Sequence, residues 1–503
     1  MGLDLVVLST LLKIVFVLAI ILTFAPLIIW AERRQSAMMQ DRIGPVRADL
    51  VELLEGLGVK KPAGFVQTAR NAFGMGSKAH FGLAVLCILV GGAAALYPAL
   101  ASDGAYTLNF PIPVAEDADG VVTSVSAAAV FWIALALFAF NLGMSRFLEY
   151  LQRVFKGRVT VGGLLHPLAD ALKFIWKEDF VPPKADKFLH ALAPILVVVT
   201  AIATFAVIPF ADVLYLDHLG DVLRDVEGAG MCVWGVAEGS CLPTEMTGPR
   251  IPMQVAEINV GILFIFAVAG TGVVGAAIAG YSSDNKYSLL GGLRAAGQMV
   301  SYEVTLGLTI VPMFMIFGSL LLEDMVSWQA NDPFGGFYPR WGIFLQPLAF
   351  ILFFASSIAE TKRIPFDVPE GESELVGGYL TEYSGMKFGM FFMGEFVEVV
   401  VLAAVATTLF FGGYDVPFLH EHGFELGFWP ELGYIPLPHW AVVVIQMLAF
   451  TLKLALLIWF QLMIRWTLPR FRYDQIMNLC WKYILPLSLV NILATGLGIL
   501  LFS

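Results

Sequence analysis

One segment of the chain carries an unusual density of carboxylates. Between Ala359 and Gly385 the sequence reads AETKRIPFDVPEGESELVGGYLTEYSG, with prolines at positions 365 and 369 that prevent one continuous helix and predict a folded loop. Its six acidic residues, spread over 23 positions, are Glu360, Asp367, Glu370, Glu372, Glu374 and Glu382. Crowded and partly buried carboxylates raise one another's pKa, which would let such a loop hold or pass protons near neutral pH. A solvated acidic loop is the alternative interpretation.

Further ionisable residues lie inside long apolar blocks. Glu303 lies in SYEVTLG at the start of its block, Glu395 and Glu398 stand at i and i+3 in MGEFVEVV, and Lys453 lies in FTLKLAL. A charge in mid-membrane costs about 2.5 to 3.5 kcal/mol, so such residues normally face a protein interior or a water-filled path. The functional hypothesis is a proton relay. For Glu398 and Lys453 the structural alternative, an ion pair that joins two helices, stays open.

Apolar helices must hold these ionisable residues in place, and the composition of the chain predicts such helices. Of 503 residues, 58% are hydrophobic and 14% are charged, and the mean hydropathy is +0.78, which excludes a water-soluble protein. The net charge of −11 argues against a nucleic-acid partner. Ten continuous apolar blocks predict an all-α polytopic membrane protein of about ten transmembrane helices, because a helix satisfies its own backbone hydrogen bonds in hydrocarbon. The blocks are Leu5–Ala31, Phe81–Ala101, Ala127–Met144, Phe188–Ala211, Ile258–Tyr281, Val300–Leu322, Trp341–Ala359, Phe388–Tyr414, Ala441–Trp466 and Trp481–Phe502.

The positive charges predict the orientation of these spans. Of the 30 Lys and Arg residues, 25 fall in alternate connecting segments, and only Arg224, Arg250 and Arg340 fall in the opposite ones. Because positive residues flank spans on the cytoplasmic side, both termini are expected to face outward.

The cysteines give little support for a metal or redox centre on this chain. There are four, none in a CxxC pattern, so no iron–sulfur cluster or structural zinc is expected. Cys232 and Cys241 share the outside segment Asp212–Glu257, where they would form either a disulfide or two unpaired thiols.

Two inside segments have the character of a cradle for an amphiphilic ligand. Glu32–Arg47, ERRQSAMMQDRIGPVR, follows the first span, and Gly162–Phe180 is an amphipathic stretch expected to lie along the membrane interface. Simple anchoring to lipid headgroups is the alternative.

Several long strings in order resemble one family. AERRQSAMMQDRIGPVR, GLLHPLADALKFIWKEDF, GYSSDNKYSLLGGLRAAGQMVSYEV, the acidic loop and PRFRYDQIMNLCWKYILPL are similar to the H subunit of NADH-quinone oxidoreductase, the counterpart of mitochondrial complex I subunit 1. The resemblance implies a membrane subunit that joins the peripheral arm, forms much of the quinone chamber and contacts other membrane-arm subunits. It also implies that NADH, FMN and the iron–sulfur clusters, including the terminal cluster, belong to partner subunits, with quinone as the substrate.

The resemblance assigns residues to two roles. The quinone-chamber residues would be Arg33, Arg42, Asp170, Arg294, Arg363 and Asp367. The polar path for protons would comprise Tyr302, Glu303, Glu360, Glu370, Glu372, Glu374, Glu382 and Glu395. This favours the relay interpretation of the acidic loop over the solvated one.

The chain departs from the family pattern in its organisation. Residues 1–47 would hold the first span and the chamber segment, 48–157 an insertion with two extra spans beyond the family's eight, and 158–503 the remaining core with an enlarged outside segment at about 212–257. His166 stands where Gln is usual and Lys362 where Asn is usual. The expected location is the bacterial inner membrane. A related energy-converting hydrogenase subunit and a free-standing secondary transporter are the alternative functions.

Overall fold

The computed structural model describes residues 3–40, 166–215, 223–226, 230–233, 250–330, 340–420, 423–425 and 434–502. The chain divides into two compact units, residues 1–42 with 170–503, and residues 43–169. Nearly all of the second unit lies outside the described residues, and so do the predicted spans Phe81–Ala101 and Ala127–Met144. Apart from the first residues of the helix that begins at His166, the elements described below belong to the first unit.

Helices dominate the described chain, and seven of those described are long and apolar enough to cross a membrane. The helices are α1 Leu3–Met39, α2 His166–Trp176, α3 Lys187–Thr204, α4 Gly261–Ser282, α5 Lys286–Phe317, α6 Leu322–Ala330, α7 Gly342–Leu345, α8 Pro347–Glu360, α9 Glu372–Leu375, α10 Gly385–Phe410, α11 His439–Thr467, α12 Tyr473–Asn478 and α13 Leu485–Phe502. Phe205–Val207 and Gly378–Leu380 are short 3₁₀ helices, and a π-helical turn, Leu479–Ile484, joins α12 to α13. The predicted all-α polytopic membrane fold is confirmed.

Short antiparallel strands occupy some connections between the helices. Their bounds are β1 Leu214–Tyr215, β2 Leu223–Val226, β3 Gly230–Val233, β4 Arg250–Ile251, β5 Leu419–His420, β6 Gly423–Glu425 and β7 Tyr434–Pro436. Strands β1 and β4 form one pair, β2 and β3 form another, and the last three form a sheet in the order β5–β6–β7. Cys241 and the side chain of Cys232 lie outside the described residues, so the disulfide stays a prediction.

Helix α5 differs from its predicted block by beginning at Lys286 rather than Val300. Asn285 caps it by accepting from the backbone N–H of Tyr287, and Gly318, at φ 71°, ends it in the left-handed conformation. Residues 291–298 of this helix read GGLRAAGQ, whose small and polar residues lower the hydropathy without preventing a helix. Glu303 therefore lies near the middle of its helix, not at the start.

The predicted span Trp341–Ala359 is interrupted. It forms α7 and α8, which meet at Gln346 with φ −135°. The Gln346 side chain donates to Thr495 Oγ1 at 2.9 Å and accepts from Asn491 Nδ2 at 3.1 Å, so these polar groups satisfy one another at the break. With 14 residues, α8 is only about 21 Å long, which is shorter than the roughly 30 Å hydrocarbon layer.

Helix α10 lies at the centre of the bundle, with every residue from Val399 to Phe410 buried. Helices α1, α3, α6, α8 and α11 pack around it. Small residues permit the closest approaches: a Cβ on Gly394 of α10 would lie 2.7 Å from Val197 Cγ1 of α3. Such small-residue contacts let helices pack tightly where apolar burial alone does not drive association. The carboxylates of α10 are consequently held between helices.

Candidate functional site

Three glutamates from three different helices line one cavity, which we call the membrane cavity. Glu303 comes from α5, Glu360 from the end of α8 and Glu398 from α10, while Thr200 and Thr204 of α3 add hydroxyl groups. Its volume is about 40 Å³, and roughly 10–15 Å³ suffices for one water molecule. The cavity can therefore hold the water that would connect carboxylates not in direct contact.

The glutamates of the membrane cavity keep unused hydrogen-bonding capacity. Glu360 Oε2 and Glu398 Oε2 are buried and have no hydrogen-bond partner within the described part of the chain. Buried polar atoms are normally satisfied by protein or by ordered water. These two oxygens are consequently the natural contacts for water in this cavity.

Helix α4 leaves room for the Glu303 carboxylate. A Cβ at Gly270 would lie 2.6 Å from Glu303 Oε1, and a Cβ at Gly272 would lie 3.3 Å from Thr200 Oγ1 and 3.8 Å from Glu398 Oε1. The absence of side chains at these two positions on one helix thus shapes the wall beside the carboxylates.

A second group of residues, the tyrosine hub, consists of Tyr379, Lys362, Glu370 and Glu395. The Tyr379 hydroxyl lies 2.9 Å from Glu395 Oε1 and 3.2 Å from Glu370 Oε1, and Lys362 Nζ donates to it at 3.2 Å. Lys362 Nζ also lies 3.9 Å from Glu395 Oε1. The hub therefore joins the acidic loop, through Glu370, to helix α10, through Glu395.

The irregular path of the loop creates this hub. Gly378 adopts φ +56°, and a Cβ there would lie 1.8 Å from the carbonyl oxygen of Pro369, so only glycine permits this approach. The neighbouring Tyr379 is thereby buried beneath the Glu370 segment, with 1% of its surface exposed. Pro365 and Pro369 bound a segment without regular helix, as the sequence predicts.

Burial and charge set the protonation behaviour of the hub. Burial, followed by the nearby Glu395 carboxylate, holds the pKa of Glu370 well above its usual range. Burial alone would lower the pKa of Lys362, but the surrounding carboxylates, Glu398 first, outweigh it and raise that pKa. The hub thus favours a protonated Glu370 beside a charged Lys362.

Arg363, the residue after Lys362, belongs to a different arrangement. Its guanidinium lies 3.3 Å from Glu32 Oε2 and 4.1 Å from the ring centre of Phe396, and Arg465 pairs with the same Glu32 carboxylate. Two arginines therefore share one carboxylate that comes from the end of α1.

Glu32 and Arg465 border a pocket between α1, α10 and α11 that we call the arginine cavity. Its volume is about 290 Å³, near the lower end of the range for small-molecule sites. It is lined by Ile29, Glu32, Arg33, Ser36, Phe392, Phe396, Arg465 and Trp466. Aromatic walls with convergent cations suit a planar ligand that carries carbonyl oxygens, such as a quinone ring.

The predicted quinone-chamber residues do not all converge on this cavity. Arg33 lines it and pairs with Asp170 at 2.5 Å. Arg294 instead pairs with Glu374 at 2.7 Å, and Asp367 pairs with Arg470 at 3.1 Å. Arg42 lies outside the described residues. The structure therefore brings the first-span arginine to the cavity and leaves the Arg294 and Asp367 pairs outside its lining.

The predicted proton-path residues separate in a similar way. Glu303 and Glu360 line the membrane cavity, and Glu370 and Glu395 form the hub. Glu374 is exposed, and Glu382 accepts from Asn285 Nδ2 at 2.7 Å beside an open surface depression. The side chain of Glu372 is outside the described residues.

Two residues singled out in the sequence lie apart from the membrane cavity and the tyrosine hub, so the role predicted for Tyr302 stays a prediction. The buried Tyr302 hydroxyl donates to the Ile476 carbonyl at 2.9 Å and does not line the membrane cavity. Lys453 does not pair with Glu398. Its ammonium donates to the carbonyls of Phe411, Gly413 and Asp415 at 2.8, 3.1 and 2.5 Å, which satisfies the end of α10 and the turn after it.

The sequence patterns predict no role for Tyr379, Glu32 or Arg465, which the structure places in the hub or beside the arginine cavity. Tyr379 stands in a glycine-rich stretch with no helical or strand periodicity, so no pattern predicts its neighbours. Glu32 opens the charged string ERR after the first span, which reads as an ordinary membrane-flanking charge. Only the position of Arg465 indicates a contact in advance, because a basic residue at the end of an apolar block normally reaches either a partner or the membrane surface.

Comparison with known proteins gives a consistent family. The model of the family described as NADH dehydrogenase matches residues 124–496. An NADH-quinone oxidoreductase H subunit of Cytophaga hutchinsonii is 38% identical over 381 residues, covering 75% of this chain and 97% of that protein. An H subunit of the same oxidoreductase from Geobacter sulfurreducens is 42% identical over 380 residues, covering 73% and 94%.

A third relative, the NADH-quinone oxidoreductase H subunit of Thermomicrobium roseum, is 40% identical over 348 residues, covering 69% of this chain and 86% of its own length. The resemblance seen in the sequence motifs is thereby confirmed. With nearly whole relatives matched at this level and the family model covering most of the chain, the protein belongs to the H-subunit family of NADH-quinone oxidoreductases.

Proposed function

We propose that this chain is the membrane subunit of a proton-translocating NADH-quinone oxidoreductase that binds the quinone ring and couples its reduction to proton movement. The observation that carries the proposal is the near-continuous set of carboxylates from the acidic loop into the helices. The hub joins Glu370 to Glu395, and Glu398, one turn further along α10, opens into the membrane cavity with Glu303 and Glu360.

The arginine cavity is the proposed site of the quinone ring. Aromatic groups of Phe392, Phe396 and Trp466 would contact its faces, while Arg33 and Arg465 would stabilise negative charge on its oxygens. Arg363 lies behind this cavity, paired with Glu32. Reduction of the ring takes two electrons and two protons. A transient negative charge on the ring would interact most strongly with these nearby cations.

Charge at the ring would change proton affinities nearby. Two unit charges about 4 Å apart interact by roughly 4 kcal/mol at an effective dielectric constant near 20. That energy corresponds to about three pKa units. Even a weaker coupling at longer distance would redistribute protons among carboxylates that are already crowded.

The electrons would come from other chains. Peripheral-arm subunits would carry NADH, FMN and the iron–sulfur clusters, and the terminal cluster would face the quinone ring. Further membrane-arm subunits would receive the protons. We place the chain in the bacterial inner membrane with both termini outside, which agrees with the bias of positive residues. The three relatives named above carry no hydrogenase or transporter name, so neither alternative function gains support.

The experiment compares proton transport with assembly. Glu303→Gln and Glu360→Gln would be introduced into the complex in native membranes, and NADH-driven proton uptake measured in inverted vesicles. We expect transport to fall strongly in both variants, while NADH oxidation with a hydrophilic electron acceptor, which reports the attached peripheral arm, stays unchanged.

The matched control is Glu257→Gln, the same chemical change at an exposed position before α4. It should transport protons like the parent. Normal transport in both Glu303→Gln and Glu360→Gln would remove the membrane cavity from the path and refute the proposal.

A further inference from the structure

The Tyr379 hydroxyl occupies a position that a merely structural tyrosine does not need. It is the direct hydrogen-bonding bridge between a loop carboxylate, Glu370, and a helix carboxylate, Glu395. Its ring packs edge-on against Phe391 and under the Lys362 ammonium, with ring-centre distances of 5.7 and 5.4 Å. The ring is therefore held in place independently of its hydroxyl.

Counting protons shows what these contacts require. A phenol has one proton to donate and two lone pairs to accept with. Lys362 Nζ occupies one lone pair at 3.2 Å, and the hydroxyl can donate to only one of its two carboxylate neighbours. The other carboxyl group must then carry a proton, which the phenol oxygen can accept, although Glu370 and Glu395 also hydrogen bond to one another. The geometry thus needs one carboxylic acid and one carboxylate, with the tyrosine between them.

Two arrangements satisfy this requirement equally well. In the first, protonated Glu370 donates to Tyr379, and Tyr379 donates to ionised Glu395. In the second, protonated Glu395 donates to Tyr379, and Tyr379 donates to ionised Glu370. The phenol has one donated and two accepted hydrogen bonds in both, so nothing is left unsatisfied in either state.

We propose that Tyr379 is a proton-transfer residue that carries protons between Glu370 of the acidic loop and Glu395 of α10. In one step the O–H bond of Glu370 breaks as a new O–H bond forms at the Tyr379 oxygen. The original Tyr379 O–H bond breaks at the same time as its proton reaches Glu395. One proton leaves Glu370, one arrives at Glu395, and the tyrosine ends neutral with its hydroxyl turned towards Glu370.

The surroundings favour this shift over a stepwise route. Burial, with Glu395 and Glu370 adding to it, holds the pKa of Tyr379 well above its usual range, so a free phenolate is avoided. Lys362 stays beside the hydroxyl in both arrangements and offsets the single negative charge on whichever carboxylate is ionised. This inference rests on the proposed function, because it names the residue that joins the loop to the membrane cavity.

The test is Tyr379→Phe, which removes the hydroxyl and keeps the ring. NADH-driven proton uptake in inverted vesicles should fall by roughly 10²-fold, the lower end of what a positioned proton-transfer group contributes. Tyr383→Phe is the matched control, because Tyr383 is also buried and packs edge-on against Phe391, while its hydroxyl lies 3.3 Å from Ser282 Oγ instead of bridging Glu370 and Glu395. The control should transport normally.

Tyr379→Ala separates proton transfer from packing. A smaller side chain leaves space for a water molecule between the carboxylates, so transport should recover in part relative to Tyr379→Phe even though packing is worse. A further fall in Tyr379→Ala, parallel to its thermal stability, would show that the ring alone matters and would overturn the inference. Parental transport in Tyr379→Phe would overturn it as well.

If Tyr379→Phe does not assemble, fluorotyrosine can replace Tyr379. This residue keeps the ring and the hydroxyl but makes the phenol more acidic. An unchanged transport rate would refute the inference, and a changed rate would support it. Glu370→Gln and Glu395→Gln test the path itself. Loss in both with normal Tyr379→Phe transport refutes only the tyrosine, whereas normal transport in both refutes the proposed function.

Discussion

Adding one methyl group at Gly270 should disturb the proton path without disturbing the fold. In Gly270→Ala the new Cβ would lie 2.6 Å from Glu303 Oε1, whereas ordinary van der Waals contact begins at 3.4 Å. The carboxylate must therefore move by about 0.8 Å, from 2.6 to 3.4 Å. Because the group that moves is the end of a flexible side chain, the helices need not separate.

The two effects of this substitution oppose one another in a useful way. Alanine in place of glycine within a helix stabilises it by about 0.5–1 kcal/mol, so the variant should assemble at least as well as the parent. A displacement of about 1 Å at a reacting group can cost as much as 10²-fold in rate. We expect the rate of NADH-driven proton uptake to fall by roughly ten- to a hundredfold.

Two other helix glycines provide a graded comparison, because their added Cβ atoms would come less close to the neighbouring side chains. A Cβ at Gly272 would lie 3.3 Å from Thr200 Oγ1, so Gly272→Ala should have a smaller effect, and Gly307→Ala, with nothing within 4 Å, should have none. All three gain the same helix propensity. Equal transport in the Gly270 and Gly307 variants, measured in inverted vesicles with matched protein content, would contradict a role for the Glu303 carboxylate position.

Two further predictions concern stability. Lys453→Met leaves three carbonyls without their charged donor, so we expect a loss of about 3 kcal/mol, seen as a lower thermal midpoint in detergent; Lys453→Arg should retain most of the stability, and an unchanged midpoint in Lys453→Met would contradict the capping role. The folded protein raises the pKa of Glu370 above its ordinary value of 4.5, so it binds that proton more tightly than the unfolded chain does. The free energy of unfolding therefore falls as the pH rises above 4.5. Glu370→Gln should flatten the decline of the midpoint as the pH rises above the ordinary carboxyl pKa of 4.5, and parallel curves for variant and parent would argue against a raised carboxyl pKa.

The sequence predicts the membrane helices because hydrocarbon demands long apolar blocks, and it fails where a helix is polar or a span is broken. Small and polar residues at 291–298 lower the hydropathy of the N-terminal part of α5, so hydropathy places its start at Val300 instead of Lys286. The break at Gln346 depends on partners in α13, nearly 150 positions away along the chain. Local composition carries no information about such a partner.

In the candidate site, too, the sequence predicts the residue types but not the contacts that depend on the folded chain. The sequence identifies the carboxylates of the acidic loop but cannot tell which are buried, because spacing along an irregular loop does not fix distances. Glu360 turns out to be buried and Glu370 partly buried, whereas Glu374 is exposed and pairs with Arg294. Tyr379 could not be predicted, since its position depends on the close approach of Gly378 to Pro369.

Adjacent residues connect the two proposed halves of the machinery. Lys362, at φ 53°, points to the Tyr379 hydroxyl and Glu395, while Arg363 pairs with Glu32 at the edge of the arginine cavity. Negative charge arriving on a quinone ring in that cavity would compete with Glu32 for the guanidinium groups. Because Arg363 directly follows Lys362, a change in the position of Arg363 would act on the segment that holds the ammonium beside Tyr379 and Glu395. These two adjacent residues would then link a charge in the arginine cavity to the proposed proton-transfer site of the hub.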